Sequence, residues 1–207
     1  MTKYSKKKIN VYSDQEEAMM NASQAWRGKM FLPLLKFLTA CKVRPNHLTY
    51  LSLAFGVAFC FLFCLEFKGA KSIAFGLLAI HVLLDGLDGP LARFTQTDSN
   101  KGSFTDSMVD QIVVALTTIA LIYTGNIQVI PGGLYIFLYT MVVVFAMVRN
   151  SLEIPYSLLV RPRFFVYAWF LVDVYLLPGS INYVLWACIA ILMNKMITGF
   201  YKIRKKL

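Results

Sequence analysis

Asp85-Gly86-Leu87-Asp88-Gly89-Pro90-Leu91-Ala92-Arg93, an eight-residue connection, and Gly102-Ser103-Phe104-Thr105-Asp106-Ser107-Met108-Val109-Asp110 form the stretch from which the rest of the chain can be read. It sets four carboxylates into apolar surroundings. At helical pitch Asp85 and Asp88 are three residues apart and Asp106 and Asp110 four apart, so each pair lies on one face of its own helix. Two such pairs on neighbouring helices make one acidic cup.

The sequence around the cup is that of a membrane protein. Of 207 residues 57% are hydrophobic and the mean hydropathy is positive, which fits apolar spans of ~20 residues better than a soluble domain. Spans are expected over 48–67, 72–94, 103–123, 134–153, 164–177 and 181–201, the fifth short or tilted and broken at Pro178-Gly179, with a turn from Gly125 through Pro131-Gly132-Gly133. Ahead of them, Ser13-Asp14-Gln15-Glu16 reads as a capping box. It starts an amphipathic helix that runs to about Cys41, bent at Pro33 and lying in the headgroup plane; a helix packed on the protein's own core remains the alternative. The expected fold class is therefore all-α: an integral membrane protein with six transmembrane helices preceded by an N-terminal amphipathic interfacial helix. Residues 1–44 form the tail and interfacial helix, and 45–207 the membrane domain.

A formal net charge of +10 would suit a nucleic-acid partner, but the Lys and Arg sit beside apolar spans and build no aromatic-interleaved basic domain. No nucleic acid is expected. Six spans place both termini on one side together with Arg93, Lys101, Arg161, Arg163 and the basic tail, against only Lys68 and Lys71 opposite. The positive-inside rule then turns the termini and the acidic stretch to the cytoplasm, with membrane lipids around the chain. Cys41, Cys60, Cys64 and Cys188 have no metal-ligand or redox spacing, so no structural disulfide is expected. Lys6-Lys7-Lys8 precede a polar stretch and not an apolar one, which argues against a cleaved signal peptide.

Depth makes the carboxylates expensive. At 1.5 Å per residue, Asp85 lies ~12 Å from the near end of its helix, and Asp106 and Asp110 within ~10 Å of the start of theirs. One acidic side chain at a helix centre costs about 2.5–3.5 kcal/mol, and Arg93 offsets only part of four. One or two divalent cations with oxygen ligands, Mg2+ or Mn2+, are the expected partners of Asp85, Asp88, Asp106 and Asp110. A purely structural salt-bridged cluster would leave the acid excess unexplained. Gly89 and Gly102 strip side chains beside the aspartates so that a ligand or helix can come close, whereas Gly86 reads as a packing glycine.

The spacing D-x2-D-G-x2-A-R-x8-G-x3-D-x3-D resembles, at every position, the signature of the CDP-alcohol phosphotransferase (CDP-alcohol phosphatidyltransferase) family. The resemblance is strongest over 45–124. It implies a metal-dependent transferase of phospholipid synthesis that moves a phosphatidyl group from CDP-diacylglycerol to the hydroxyl of a polar alcohol and releases CMP. It further implies that Asp85, Asp88 and Asp106 hold metal and that Asp110 shares it and acts as the general base. Gly89, Ala92 and Arg93 would form the cytidine-diphosphate pocket with Gly102, Ser99 a weaker phosphate contact. Pro45-Asn46-x-x-Thr49 matches a segment beside the nucleotide, which makes Asn46 and Thr49 candidate contacts, although Asn46 could equally cap its helix. His47 reads as an interfacial histidine and Asp98 as a loop residue. A homodimer is implied by the resemblance alone.

The acceptor is the open term. Members of the family that use phosphorylated polyols hold the acceptor phosphate with basic residues in the later spans, where Arg149 and Lys195 fall. The expected acceptor is accordingly glycerol 3-phosphate or inositol phosphate, with unphosphorylated serine or inositol as alternatives. Glu153 is the competing partner of Arg149, and Arg161 and Arg163 are explained by topology. Outside enzymes, an ion or metal transporter would use the same aspartates but has no need of the Arg93 and Gly102 spacing.

Overall fold

The computed structural model describes residues 30–65, 69–156 and 161–207. It holds seven helices among these residues and no strand: α1 Leu32–Ala40, α2 Pro45–Phe63, α3 Ala70–Phe94, α4 Asn100–Tyr123, α5 Val129–Ser151, α6 Arg163–Tyr175 and α7 Ser180–Lys206. Helix α2 packs on both α3 and α4, α5 packs on α7 and meets α4, and α6 lies on α7. At Gly56 α2 lies tight against α4: a Cβ there would stand 2.8 Å from Val113 Cγ1.

Each buried face follows from helical spacing. In α3 it runs Ala74, Leu78, His81, Asp85, Asp88, so the aspartates continue an apolar stripe that already faces the bundle. Away from the aspartates Phe59, Phe63 and Phe170 close the core, with Phe63 and Phe170 centroids 5.1 Å apart in an edge-on contact that ties α2 to α6. The opposite faces expose Phe61, Ile73, Leu83, Ile119 and Phe137, a ring of apolar side chains suited to lipid. Five helices, α2, α3, α4, α5 and α7, are long and apolar enough to cross a membrane. The protein is a multi-pass, all-α integral membrane protein.

Several sequence expectations shift. The fifth expected span is α6, with 13 residues, ~20 Å at 1.5 Å per residue against a ~30 Å hydrocarbon core. Pro162 starts it and Gly179, at φ +85, ends the turn beyond it. Pro131-Gly132-Gly133 is no turn but the first coil of α5, where a missing N–H costs nothing and Gly132 lets Ile122 come within 2.6 Å of a would-be Cβ. Pro33 stands in the first turn of α1, and the stretch ahead of Met30, on which the expected bend depends, lies outside the described residues. The interfacial helix is described only in this last part, Ser13 and its capping box lying outside the described residues. There Leu35 packs with Leu48, Leu87 and Leu91 while Leu34 and Phe37 stay exposed. Gly86 packs against nothing: a Cβ there would meet no atom within 4 Å. The four cysteines are free.

Candidate active site

Helices α3 and α4 bring three of the four carboxylates together. One oxygen each from Asp85, Asp106 and Asp110 lies within 4.8 Å of the other two. Oxygens at that separation can share one hard cation at 2.0–2.6 Å, so the donor set fits a divalent metal ion. Asp88 stands beside this triad and not in it. Its Oδ2 accepts a 2.7 Å hydrogen bond from Thr49 Oγ1, which also reaches the Pro45 carbonyl at 3.3 Å. One turn further into the membrane, buried His81 sets Nδ1 3.0 Å from the Ser52 carbonyl.

Arg163, expected only as a topology charge, is buried in the site. Its Nη2 donates to Asp85 Oδ2 at 2.8 Å, its Nη1 pairs with Asp110, and the guanidinium lies 4.5 Å from the Phe164 ring centroid. The sequence did carry a signal. Arg163, Val166, Tyr167, Phe170 and Asp173 fall at helical spacing, and all five form the buried face of α6. Arg161 also acts on Asp106 through space. The triad thus already has a cationic partner from the far side of the bundle, which lowers the cost of burying its carboxylates.

A cavity of about 540 Å³ opens onto Asp88 and Asp106. Its wall contains every residue expected around the nucleotide: Asn46, Thr49, Gly89, Ala92, Arg93, Ser99 and Gly102. The Arg93 guanidinium lies back over Gly89, with Nη1 3.5 Å from where a Cβ would be. Ser99 caps α4, its Oγ accepting from Gly102 N at 3.1 Å. Asn46 is not the cap of α2. Arg44 holds that position, its N–H facing His47 Nδ1 at 3.4 Å, which leaves Asn46 in the first turn toward the cavity. Asp98 is a loop residue, as expected, but one on the cavity wall.

Arg149 and Lys195 do not line this cavity. Arg149 is buried and occupied: Nε donates to the Ile154 carbonyl at 2.8 Å and Nη2 to the Pro155 carbonyl at 2.7 Å, while the guanidinium stacks 3.8 Å from the Tyr156 ring centroid. It ties the end of α5 to the segment that follows it. Tyr156 in turn donates through Oη to the Lys195 carbonyl at 3.0 Å, so both positions belong to one clasp between α5 and α7. A buried arginine needs acceptors, and for Arg149 the Ile154 and Pro155 carbonyls supply them.

Comparison with known proteins bears on the same region. The CDP-alcohol phosphatidyltransferase family matches over residues 42–194. A CDP-diacylglycerol--serine O-phosphatidyltransferase of Mycobacterium bovis is 31% identical over 114 residues, 54% of this chain and 39% of the relative. The enzyme of the same description from Mycobacterium leprae is 30% identical over 109 residues, 52% of this chain and 35% of the relative. The matched stretch thus spans less than two-fifths of these relatives' own length. With the family match covering most of the chain and the signature residues gathered at one cavity and one acidic cluster, the chain belongs to the CDP-alcohol phosphatidyltransferase family.

Proposed function

We propose that the protein transfers a phosphatidyl group from CDP-diacylglycerol to the hydroxyl of serine and releases CMP. The observation that carries this reading is the cavity on Asp88 and Asp106, of a size that suits a nucleotide, walled by Arg93, Asn46 and two glycine positions and reaching Asp106 of the acidic triad. Serine is preferred to a phosphorylated polyol for two reasons. The relatives are described as serine enzymes, and Arg149, the residue on which the phosphate reading leaned, is spent on two carbonyls.

The residues divide the work. Arg93, held over Gly89, faces the diphosphate with a planar fork suited to phosphate oxygens. Thr49 fixes the rotamer of Asp88 and so the direction of its free oxygen. Asp85, Asp106 and Asp110 would hold a divalent ion, Mg2+ or Mn2+, which would supply positive charge to the diphosphate and to the leaving CMP. Asp110 takes the proton of the acceptor hydroxyl as that oxygen attacks the lipid-bound phosphorus, and Arg163 orients Asp110 for this from α6. The site and both termini are proposed to face the cytoplasm, where the basic loops lie, and the assembly to be a homodimer.

The test is CMP release by purified protein supplied with CDP-diacylglycerol and Mg2+, with serine, inositol, glycerol 3-phosphate and inositol phosphate added singly. Serine is expected to drive release. Release with a phosphorylated polyol and not with serine would refute the acceptor, and metal-dependent flux without CMP would refute the transferase.

A further inference from the structure

We infer that His81, which lies outside the family signature, is a positioning residue for the acidic cluster. Bonded to the Ser52 carbonyl of α2 and set edge-on to the Tyr167 ring of α6, it braces three helices one turn below the aspartates and so fixes where their carboxylates stand. The inference rests on the proposed transfer only for its effect on turnover.

Packing alone does not call for a histidine at this place. His81 falls about 20 Å from the Arg93 end of α3, inside the apolar span, and is 2% exposed. Leu78 precedes it on the same buried face, and another apolar residue could fill the volume. A buried imidazole, by contrast, needs a partner for its N–H. The partner is a backbone atom: Nδ1 lies 3.0 Å from the Ser52 carbonyl oxygen. A carbonyl only accepts, so Nδ1 is the donor. Gly56, one turn on from Ser52, faces the same ring, with Nδ1 3.5 Å from where a Cβ would be.

Both helices that His81 reaches also carry the partner of an α3 aspartate. On α2, Ser52 donates through Oγ to the Thr49 carbonyl at 3.1 Å, and Thr49 donates to Asp88 at 2.7 Å. On α6, Tyr167 stands one turn from Arg163, whose Nη2 donates to Asp85 at 2.8 Å and whose Nη1 pairs with Asp110. The His81 and Tyr167 ring centroids are 6.3 Å apart with their planes at 71°. Thus α3 meets α2 at His81–Ser52 and Asp88–Thr49, and meets α6 at His81–Tyr167 and Asp85–Arg163. His81 is the residue common to the two pairs.

The short helix α6 gives this brace its consequence. It has 13 residues and rests on α7, so its hold on α3 is through side chains. Phe170 ties it to α2 further from the site; Tyr167, between Phe170 and Arg163, is the contact it makes to α3 itself. Without His81 the Arg163–Asp85 pair would be left to set the distance between α3 and α6. Ligand oxygens that share a metal ion must hold their directions to within about 10–20°, and the groups behind the ligands set those directions.

The experiment measures Mn2+ binding to the detergent-solubilised protein by electron paramagnetic resonance, beside steady-state CMP release, for wild type, His81→Asn, His81→Phe and Tyr167→Leu. Asn puts an amide N–H where Nδ1 stands, whereas Phe keeps the aromatic edge and loses the donor. His81→Phe is expected to weaken Mn2+ binding and to lower kcat about tenfold each, while the KM for CDP-diacylglycerol stays within about threefold. His81→Asn is expected to recover most of the Mn2+ affinity, and Tyr167→Leu, which leaves Arg163 in place, to weaken it about threefold, as for one lost aromatic contact. Wild-type Mn2+ affinity in His81→Phe, whatever its melting temperature, would overturn the inference. Equal losses in His81→Asn and His81→Phe, or no Mn2+ binding by the wild type, would overturn it too. If His81→Phe does not fold, Tyr167→Leu decides: weakened Mn2+ binding upholds the brace and unchanged binding overturns it. If no acceptor releases CMP from the wild type, the transfer reading fails, and the Mn2+ series still upholds or overturns the brace.

Discussion

Replacing Arg163 tests the central electrostatic claim. Its side chain is 8% exposed and that of Asp85 4%, so the pair is shielded from water. Arg163→Gln keeps the length of a polar side chain but removes the charge facing Asp85 and Asp110, leaving the triad of carboxylates within 4.8 Å without its guanidinium. Removing one partner of a buried ion pair costs roughly 3–5 kcal/mol. At about 2–4 °C per kcal/mol for a chain of this size, the melting temperature should fall by roughly 6–20 °C. The assay is thermal unfolding in detergent, run with EDTA and again with Mg2+. Because a divalent ion would supply the charge that Arg163 no longer does, the deficit should shrink in Mg2+ for Arg163→Gln more than the wild-type value moves. Arg163→Lys, which keeps the charge but loses the fork, should fall between. A variant that melts within 2 °C of wild type in EDTA would refute the claim that Arg163 neutralises the triad.

Other expectations are simpler. Thr49→Val removes the 2.7 Å hydrogen bond to Asp88 and should lower kcat/KM for CDP-diacylglycerol about tenfold, as expected for a bond to a charged group, with the serine KM unchanged. Asp110→Asn should reduce turnover by at least about a hundredfold while CDP-diacylglycerol still binds, measured by steady-state kinetics and a binding assay. Gly199→Ala would set a Cβ 2.0 Å from Tyr156 Oη and should destabilise by about 1–3 kcal/mol; adding Tyr156→Phe removes that oxygen and should recover part of the loss in a double-mutant cycle. Arg149→Met should lower the melting temperature yet leave the serine KM unchanged, because its guanidinium serves the Ile154 and Pro155 carbonyls.

Much of this protein was legible from local pattern. Apolar runs show membrane helices because a ~30 Å hydrocarbon core demands long apolar segments whose backbone bonds are internal. The i, i+3 and i, i+4 aspartates show shared faces because helical pitch is fixed, and the pocket positions Gly89, Arg93 and Gly102 are what the resemblance of the motif to a family signature implies. The cavity assembles those residues with no rearrangement of the reading. Only the tertiary structure could decide which partner comes from far along the chain. Arg163 is 78 residues from Asp85 and shares no local pattern with it, and charge alone cannot tell a buried guanidinium from one that marks topology. The same limit applies to Arg149, where the acceptors are carbonyls five and six residues on, past the end of α5. It applies also to Asp88, which accepts a hydrogen bond from Thr49 and lies outside the group of three. Helical pitch is a property of the backbone and can be read from sequence; which charges meet across a bundle is set by how helices pack, and that depends on the whole chain.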